Sequence, residues 1–317
     1  MIAQIILDSL IKDRKSNLAG KIIHKLFTFL RIVYLKINKN TLVTYNLEGS
    51  KIHLPFKHDL PLNKKLFPLY DTNIGRLAGY LKEKYIDFQA IDIGANIGDT
   101  AIIIKRYIEV PILCIEADKY YYKLLIQNTT DLKTIDYENC FVGESKSNDL
   151  VFVNYSGSGR IVKKNESASN IEFSSLTDII KRHPNFNNVK YLKIDTDGFD
   201  CTIIRSNADF LKQYKAVVFF EYDPYFLGLI DDDGLSVFNT LRDIGYEKLI
   251  IYDNTGDFLI SLSLGQTTIL EELNLYYTGK KGDKYMDICI FHSEDSDLAD
   301  KIRIFELEFY RNVKVQQ

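Results

Sequence analysis

The sequence predicts an α/β protein in which helices pack on both faces of an open and mostly parallel sheet. Three observations favour this class. Short, largely apolar runs such as Phe88–Ile93, Lys190–Ile194 and Ala216–Phe220 are typical of buried parallel strands. A glycine-containing turn, Gly94–Gly98, joins the first run to a segment with helical periodicity. Acidic residues end the runs, at the edge where open α/β sheets bind ligands.

Length and composition fit one large core with an N-terminal appendage. The chain has 317 residues, of which 46% are hydrophobic and 13% aromatic, which favours a single α/β domain over two equal ones. We expect a basic helical extension over residues 1–40, a hairpin and helix over 41–87, and the main domain over 88–317.

Charge and cysteine usage argue against several classes of protein. The net charge of -3 gives no reason to expect nucleic acid as a partner. Cys114, Cys140, Cys201 and Cys289 are widely spaced, which predicts neither a zinc site nor a disulfide framework. Charged residues interrupt the only early apolar run, and no apolar segment is long enough to span a bilayer. The sequence therefore predicts a cytoplasmic protein.

The N-terminal extension is both basic and amphipathic. Residues 1–40 carry eight lysine or arginine residues and two aspartates, a charge of +6 that leaves the remainder at -9. An apolar stripe with helical spacing comprises Ile22, Leu26, Phe29, Leu30, Val33 and Ile37. Packing on the chain's own domain or on a second subunit is the favoured interpretation. The alternative is peripheral contact with an anionic membrane at its inner face.

Local patterns predict the other elements in chain order. Glu48–Ser50 predicts the turn of a hairpin, and Ser156–Arg160 a mobile loop. Asp99 or Thr100 would cap the helix after Gly98, and Asp231–Asp233 would cap a later one. Helices are expected over 74–84, 99–107, 120–128 and 234–245. Strands are expected over 42–47, 51–55, 88–93, 111–115, 140–143, 150–155, 190–194, 216–220, 248–252 and 286–291.

The turn after the first sheet strand indicates the kind of cofactor. A dinucleotide fingerprint needs a middle glycine so that a pyrophosphate can approach the backbone, and Asn96 occupies that position. Asp92 puts a negative charge beside the turn, which suits a cationic ligand better than a diphosphate. Glu116 follows the second strand, eighteen residues beyond Gly98, where an α/β nucleotide fold places the acid that binds ribose hydroxyls. S-adenosylmethionine, with a sulfonium and an ammonium but no phosphate, fits this pattern.

Acids from separate strands should meet at one edge of the sheet. Asp92, Glu116, Asp195 and Glu221 each stand at the end of a predicted strand, so we expect them to converge on one site. The glycines of the turn would let the ligand approach the backbone closely. The expected cofactor-binding residues are Asp92, Gly94, Asn96, Gly98, Thr100, Glu116, Ala117, Gly143 and Asp195.

Two ordered motifs resemble the FkbM family of S-adenosylmethionine-dependent methyltransferases. The family's D-I-G-A-N-x-G segment matches Asp92–Gly98. Its later K-I-D-x-E-G-x-E segment matches Lys193–Asp200, except that Asp197 and Asp200 stand where glutamate is usual. Both replacements keep the charge and shorten the side chain, which puts a contact to the acceptor in question. The likeness spans Pro55–His292, so the extension lies outside it.

The resemblance implies a Rossmann-like sheet of seven strands with the last one antiparallel. It also implies methyl transfer to a hydroxyl of a sugar, a surface-glycan precursor or a secondary metabolite. Such a reaction needs the reacting atoms held in line and the hydroxyl proton removed. The candidate catalytic residues are Asp195, Asp197 and Glu221. Alternatively, Asp195 binds only the cofactor, and Asp197 and Asp200 only cap the helix after Gly198.

Other classes of protein use some of the same residues. Asp195-Thr196-Asp197 matches the D-x-D that holds a metal and a nucleotide diphosphate in glycosyltransferases. A cofactor-binding protein without activity is a third interpretation. A weak Mg²⁺ site at Asp195 and Asp197 stays open, whereas no His and Cys spacing predicts a tightly bound transition metal. Among the histidines, His183 is the candidate to reach the site.

The acceptor itself is not identified by any motif. We expect acceptor contacts from variable loops, Ser156–Lys164 and Asp253–Asp283. Tyr222, Tyr225 and Phe226 follow Glu221 closely and would be able to stack on a sugar ring, although aromatic residues there are equally consistent with the core.

Overall fold

The structure contains one large sheet flanked by helices and by small two-stranded pieces. The computed structural model describes residues 1–12, 18–38, 40–143, 150–155, 158–163 and 173–315. The helices are α1 (Ile2–Ile11), α2 (Leu18–Ile37), α3 (Leu60–Leu66), α4 (Thr72–Tyr80), α5 (Asp99–Tyr107), α6 (Lys119–Thr129), α7 (Leu176–Arg182), α8 (Asp200–Ser206), α9 (Ala208–Tyr214), α10 (Pro224–Leu229), α11 (Ser236–Asp243), α12 (Thr267–Thr278) and α13 (Ser296–Val315). The strands are β1 (Leu42–Leu47), β2 (Ser50–Pro55), β3 (Gln89–Ile93), β4 (Ile112–Ile115), β5 (Ile135–Glu138), β6 (Phe141–Val142), β7 (Leu150–Tyr155), β8 (Ser158–Lys163), β9 (Phe173–Ser174), β10 (Val189–Ile194), β11 (Val217–Tyr222), β12 (Tyr246–Asp253), β13 (Phe258–Ser263) and β14 (Met286–His292).

The central sheet confirms the predicted fold class. Its 8 strands lie in the order β13, β12, β14, β11, β10, β3, β4, β5. Strands β11, β10, β3, β4 and β5 are parallel to one another, and β14 runs antiparallel to both β11 and β12. The last strand of the chain is therefore antiparallel, as expected, while β13 adds a strand beyond the predicted seven at one edge.

Both edge strands differ from the prediction because an edge strand lacks a continuous apolar run. The neighbour of β4 is β5, whose alternating side chains are all half-buried, and not residues 140–143. Phe141–Val142 instead pairs with β9 outside the central sheet. At the other edge, a tight turn between Asp253 and Asp257 folds β13 back onto β12. Strand β13 and helix α12 thus occupy the region that was expected to be a loop.

The segment after β6 contains a hairpin where a mobile loop was expected. Strand β7 agrees with the prediction, and β8 pairs with it in antiparallel register from Ser158 to Lys163. Residues 158–160 of the predicted loop Ser156–Arg160 therefore belong to strand β8. Residues 156–157 lie outside the described part of the chain.

Helix α5 begins at a glycine and not at an acidic cap. Gly98 is the N-cap residue, with a left-handed φ of 87°, and no side chain caps the helix. The expectation that Asp99 or Thr100 would be the cap is wrong, because the left-handed turn at Gly98 places both residues inside the first turn of the helix.

The acidic triplet Asp231–Asp233 does not cap the next helix either. Helix α11 has Leu235 at its N-cap and no capping side chain. Asp232 instead accepts a hydrogen bond from the Thr202 hydroxyl at 2.7 Å and pairs with Arg205. The guanidinium of α8 therefore holds this carboxylate away from the helix end that it was expected to cap.

Each face of the sheet has its own hydrophobic core. Ile91 and Ile93 of β3 belong to the core shared with α7, α8, α9 and α11. Ala90 belongs to the opposite core, shared with α4, α5 and α13. This alternation follows from the two-residue period of a strand.

The two N-terminal helices differ in how they pack. Ile6, Leu7 and Leu10 of α1 are buried in a third core with the hairpin β1–β2 and with α5 and α6. Helix α2 has no buried residue, and its apolar stripe is exposed. The stripe therefore does not pack on the chain's own domain, and packing on a second subunit stays a prediction. No helix in the described part of the chain is long and apolar enough to cross a membrane.

A buried ion pair ties α4 to the C-terminal helix α13. Arg76 Nε and Nη2 donate to the two carboxylate oxygens of Glu306 at 2.8 and 2.9 Å. The guanidinium also lies 3.9 Å from the ring centroid of Phe309. Both charged side chains are almost fully buried. Since Tyr70 and Asp71 directly precede α4, this pair fixes the position of that segment as well.

Glu306→Ala should lower the free energy of unfolding by roughly 3–5 kcal/mol, because it leaves the Arg76 guanidinium buried without its partner. Denaturant unfolding followed by circular dichroism measures the change. The double replacement Arg76→Met with Glu306→Leu should recover most of the loss, since it removes both charges together. An unfolding midpoint unchanged in Glu306→Ala would contradict the structural role of the pair.

Candidate functional site

A cavity of about 250 Å³ opens at the carboxyl ends of β3, β4, β10 and β11. Strand order reverses between β3 and β10, which is where open α/β sheets bind ligands. The structure brings together most of the predicted site residues there, while Asp92, Gly98 and Gly143 are not among the residues that line the cavity. The predicted residues that line it are Gly94, Asn96, Thr100, Glu116, Ala117, Asp195, Asp197 and Glu221.

The glycines of the first turn are required by the protein's own packing. Gly94 has a φ of 78°, and a Cβ there would lie 1.8 Å from the carbonyl oxygen of Asp195. Gly98 backs onto α6, where a Cβ would lie 2.6 Å from Cγ2 of Thr129. Glycine is therefore required at these two positions mainly by packing within the protein, and not by the close approach of a ligand. The turn is tight because β3, β10 and α6 meet at it.

Glu116 is held rigidly at the end of β4. The backbone N–H of Asn96 donates to its Oε2 at 2.8 Å, and the N–H of Asp118 donates to Oε1 at 2.7 Å. Burial raises the pKa of Glu116 to about 7, against the lowering effect of these two hydrogen bonds. The carboxyl group thus joins the turn after β3 to the start of α6, and each oxygen keeps a lone pair for a ligand.

Lys193 is the buried cation around which the acids are arranged. Its Nζ lies 3.1 Å from Oδ1 of Asp92 and 3.3 Å from Oδ2 of Asp195. Burial disfavours the ammonium, but the two neighbouring carboxylates outweigh burial and raise the pKa of Lys193. Asp92 is fully buried and does not line the cavity, so its charge affects a ligand there through its pairing with Lys193, which does line the cavity.

The loop after β10 presents Asp195 and Asp197 to the cavity. Asp197 adopts a left-handed φ of 52°, followed by Gly198. The carboxylate of Asp200 accepts hydrogen bonds from Thr196 N and Oγ1 and from Gly198 N, at 3.1 to 3.2 Å. No side chain caps α8, so the expected capping by Asp197 and Asp200 is wrong, and Asp200 stabilises the preceding loop instead. Burial and repulsion from Asp195 raise the pKa of Asp200 to about 7.

Glu221 is the second-last residue of β11 and lines the cavity. Its side chain is buried, and Oε1 has no hydrogen-bond partner among the described residues. Burial, followed by repulsion from Asp195 and Asp197, raises the pKa of Glu221 well above its usual value. Burial therefore favours the neutral carboxylic acid of Glu221, and a cation in the cavity would favour its ionised form.

The segment before α4 and the start of β14 contribute lining residues that no motif signalled. His58, Tyr70, Asp71, Asp99 and Tyr285 all line the cavity. Burial and repulsion from Asp99 raise the pKa of Asp71 to about 7, and burial lowers the pKa of His58. Asp99 directly follows the turn after β3 that the motif identified, where it was expected to cap a helix.

The aromatic residues expected to stack on a sugar lie elsewhere. Tyr222 is buried in the core, where its hydroxyl donates to Asn274 at 2.9 Å. Phe226 packs against Gly198, and Tyr225 is partly exposed. None of the three lines the cavity. The aromatic side chains that do line it are Tyr70, Phe141, Phe199 and Tyr285.

His183 does not reach the cavity. Its Nε2 lies 2.8 Å from Oε2 of Glu138, at the end of the edge strand β5, so the histidine is engaged on the outer side of the sheet. In the part of the chain that the structure describes, no group of three or more His, Cys, Asp or Glu side chains is placed to hold a metal ion.

The lining of the cavity is strongly acidic. Among its described residues Lys193 is the single lysine or arginine, and two carboxylates flank it. Such a lining attracts a positively charged ligand and repels a diphosphate. The acidic lining residues are Asp59, Asp71, Asp99, Glu116, Asp195, Asp197 and Glu221.

The strand order defines a doubly wound α/β protein whose cavity lies at the carboxyl edge of the sheet. Residues 92–248 match the methyltransferase FkbM domain. This match confirms the resemblance that the two motifs predicted. It supports S-adenosylmethionine-dependent methyl transfer.

Solved methyltransferase structures are similar to this chain at low identity. A precorrin-6y C5,15-methyltransferase from Geobacter metallireducens shares 11% identity over 69% of this chain and 87% of its own, with a TM-score of 0.38. The METTL16 methyltransferase domain shares 12% identity over 90% of this chain and 88% of its own, with a TM-score of 0.45. A geranyl diphosphate methyltransferase in complex with SAM shares 7% identity over 74% of this chain and 89% of its own, with a TM-score of 0.42. No curated protein sequence matches the chain.

Proposed function

We propose that this protein binds S-adenosylmethionine and methylates a hydroxyl oxygen. The observation that carries the proposal is the geometry of Glu116. Its carboxyl group lies at the end of β4, fixed to the Asn96 backbone of the turn after β3, inside an acidic cavity. A carboxylate at this place in an α/β sheet is suited to two ribose hydroxyls.

The charges of the cavity fit the charges of this cofactor. Lys193 is already paired with Asp92 and Asp195, and Asp59 is paired with Arg31, while Asp71, Asp99, Glu116 and Glu221 also line the cavity. A sulfonium and an ammonium would offset these acids. We assign cofactor binding to the turn around Gly94 and Asn96 and to Glu116, with Thr100, Ala117 and Asp195 beside them.

S-adenosylmethionine supplies an activated methyl group, so the protein must orient the acceptor hydroxyl and remove its proton. We assign the base to Glu221. Its Oε1 has no partner among the described residues. Burial raises its pKa, so the carboxylate is a stronger base than an exposed one. Asp197 is the second candidate because it lines the same cavity from the loop after β10.

For the acceptor we propose a hydroxyl of a sugar, a surface-glycan precursor or a secondary metabolite, in line with the FkbM resemblance. Tyr70 and Tyr285 line the cavity and offer aromatic surfaces to a ring-shaped acceptor. A nucleotide-sugar enzyme built on Asp195-Thr196-Asp197 is not favoured, because Lys193 already neutralises Asp195 in part and a diphosphate would face the remaining carboxylates.

A direct test incubates the protein with S-adenosylmethionine and a panel of hydroxyl compounds, including nucleotide sugars and glycan precursors. Mass spectrometry would detect S-adenosylhomocysteine together with an acceptor heavier by one methylene. Cofactor binding without turnover on any hydroxyl, but with turnover on an amine or a carbon acceptor, would overturn the assignment to oxygen.

Glu116→Ala should weaken S-adenosylmethionine binding by roughly 2–4 kcal/mol, since it removes two charge-assisted hydrogen bonds to the ligand. Isothermal titration calorimetry measures the affinity. Glu138→Ala is the matched control, because Glu138 occupies the same end of the neighbouring strand but contacts Arg182 and His183. Equal affinities in the two variants would remove Glu116 from the cofactor site.

Glu221→Gln should slow methyl transfer by roughly 10²-fold or more at saturating cofactor, because the amide cannot take the hydroxyl proton. The amide has the same size, so the melting temperature should hold. Asp197→Asn, measured in parallel, should have the smaller effect on kcat. The reverse ranking would transfer the role of base to Asp197, and normal turnover in both variants would exclude both side chains.

A further inference from the structure

Helix α2 presents an apolar face to solvent over its whole length. None of its 20 residues is buried. Large apolar side chains are exposed along it, among them Leu18 at 75%, Ile22 at 57%, Leu26 at 52%, Phe29 at 61% and Ile37 at 77% of their surface. Contiguous exposed apolar surface of this kind marks an interaction site in a folded protein.

The orientation of α2 is fixed by its inner side. Phe27, Tyr34 and Leu35 are partly buried against the core of α1 and the hairpin β1–β2. On the same side, Arg31 donates to the carbonyl of Lys57 at 3.0 Å and pairs with Asp59 at 2.7 Å. The helix is therefore docked on the protein, and its exposed apolar side is turned outward by these contacts.

Apolar and basic side chains are segregated on the outer side. With about 100° per residue, Phe29, Ile22, Val33, Leu26 and Leu30 follow one another around one continuous arc. The three exposed lysines of α2 border this arc along one flank, and the helix contains no acidic residue. They are Lys21, Lys25 and Lys36.

We propose that the outer face of α2 binds the surface of an anionic phospholipid membrane. An apolar arc bordered by lysines is the arrangement that lies in the headgroup region, with the arc among the acyl chains and the ammonium groups at the phosphates. If a second copy of the chain packed here through its own α2, two basic helices would face each other. Neither helix has an acidic side chain to pair with the lysines of the other. Lipid phosphates supply that missing charge.

The docked helix would bring the cavity close to the lipid surface. Arg31 holds Asp59, and His58, Asp59 and Leu60 line the cavity. Resting on the proposed function, the acceptor is then a hydroxyl compound carried on a lipid, presented to the cavity from the membrane to which α2 binds. Membrane binding itself does not depend on that function.

Sedimentation of the full chain with vesicles tests the docking. Vesicles of equal parts phosphatidylglycerol and phosphatidylcholine should pull down the protein, vesicles of phosphatidylcholine alone should do so much less, and added salt should release it. Leu26→Ser with Phe29→Ser should weaken binding roughly 10-fold or more. Leu275→Ser with Tyr276→Ser on α12, where both side chains are also exposed, is the matched control and should bind like the unchanged protein.

Several results would overturn the inference. With the unchanged protein, failure to sediment with the anionic vesicles, or equal binding to both kinds of vesicle, would contradict it. Normal vesicle binding by the double variant at Leu26 and Phe29 would also contradict it. A dimer in light scattering that these two replacements dissociate would show that the face binds a second copy of the chain instead. Calorimetry with S-adenosylmethionine separates the two proposals: lost cofactor binding with retained vesicle binding would contradict the proposed function and leave the docking intact.

Discussion

The arrangement of the site depends on the buried ammonium of Lys193. It lies between the carboxylates of Asp92 on β3 and Asp195 at the end of β10, and so joins the two strands at which the sheet order reverses. Charges this deep are tolerated only when they are paired. Without Lys193, the turn after β3 and the loop after β10 would meet as two uncompensated acids.

Three other buried acids of the cavity form no ion pair with Lys193, and their pKa values are raised. Glu116 and Asp71 have pKa values of about 7, and the pKa of Glu221 lies well above its usual value, in each case mainly because burial disfavours the charged form. The cavity can therefore vary its charge near neutral pH. A cation that enters would lower these pKa values, so that cofactor binding and proton release are linked.

Sequence alone identified the parts of the site that are contiguous in the chain. The motif at Asp92–Gly98, Glu116 and the Lys193–Asp200 segment were recognised because strand, turn and acid follow one another within a few residues. His58, Asp71 and Tyr285 were missed because folding brings them in from distant segments, and no spacing rule connects them to the motif. The edge strands β5 and β13 were missed for the reason that their half-exposed faces carry polar residues.

We propose that the positive charge of a sulfonium cofactor compensates the buried acids of the cavity. Calorimetry of S-adenosylmethionine binding near neutral pH, in two buffers with different ionisation enthalpies, measures the protons released. S-adenosylhomocysteine is the control because it lacks the sulfonium charge and little else. The account predicts more protons released with S-adenosylmethionine, and an affinity for it that rises from about pH 6 to about pH 8 as the acids ionise. Equal proton release by the two ligands, or an affinity that does not change with pH, would contradict it.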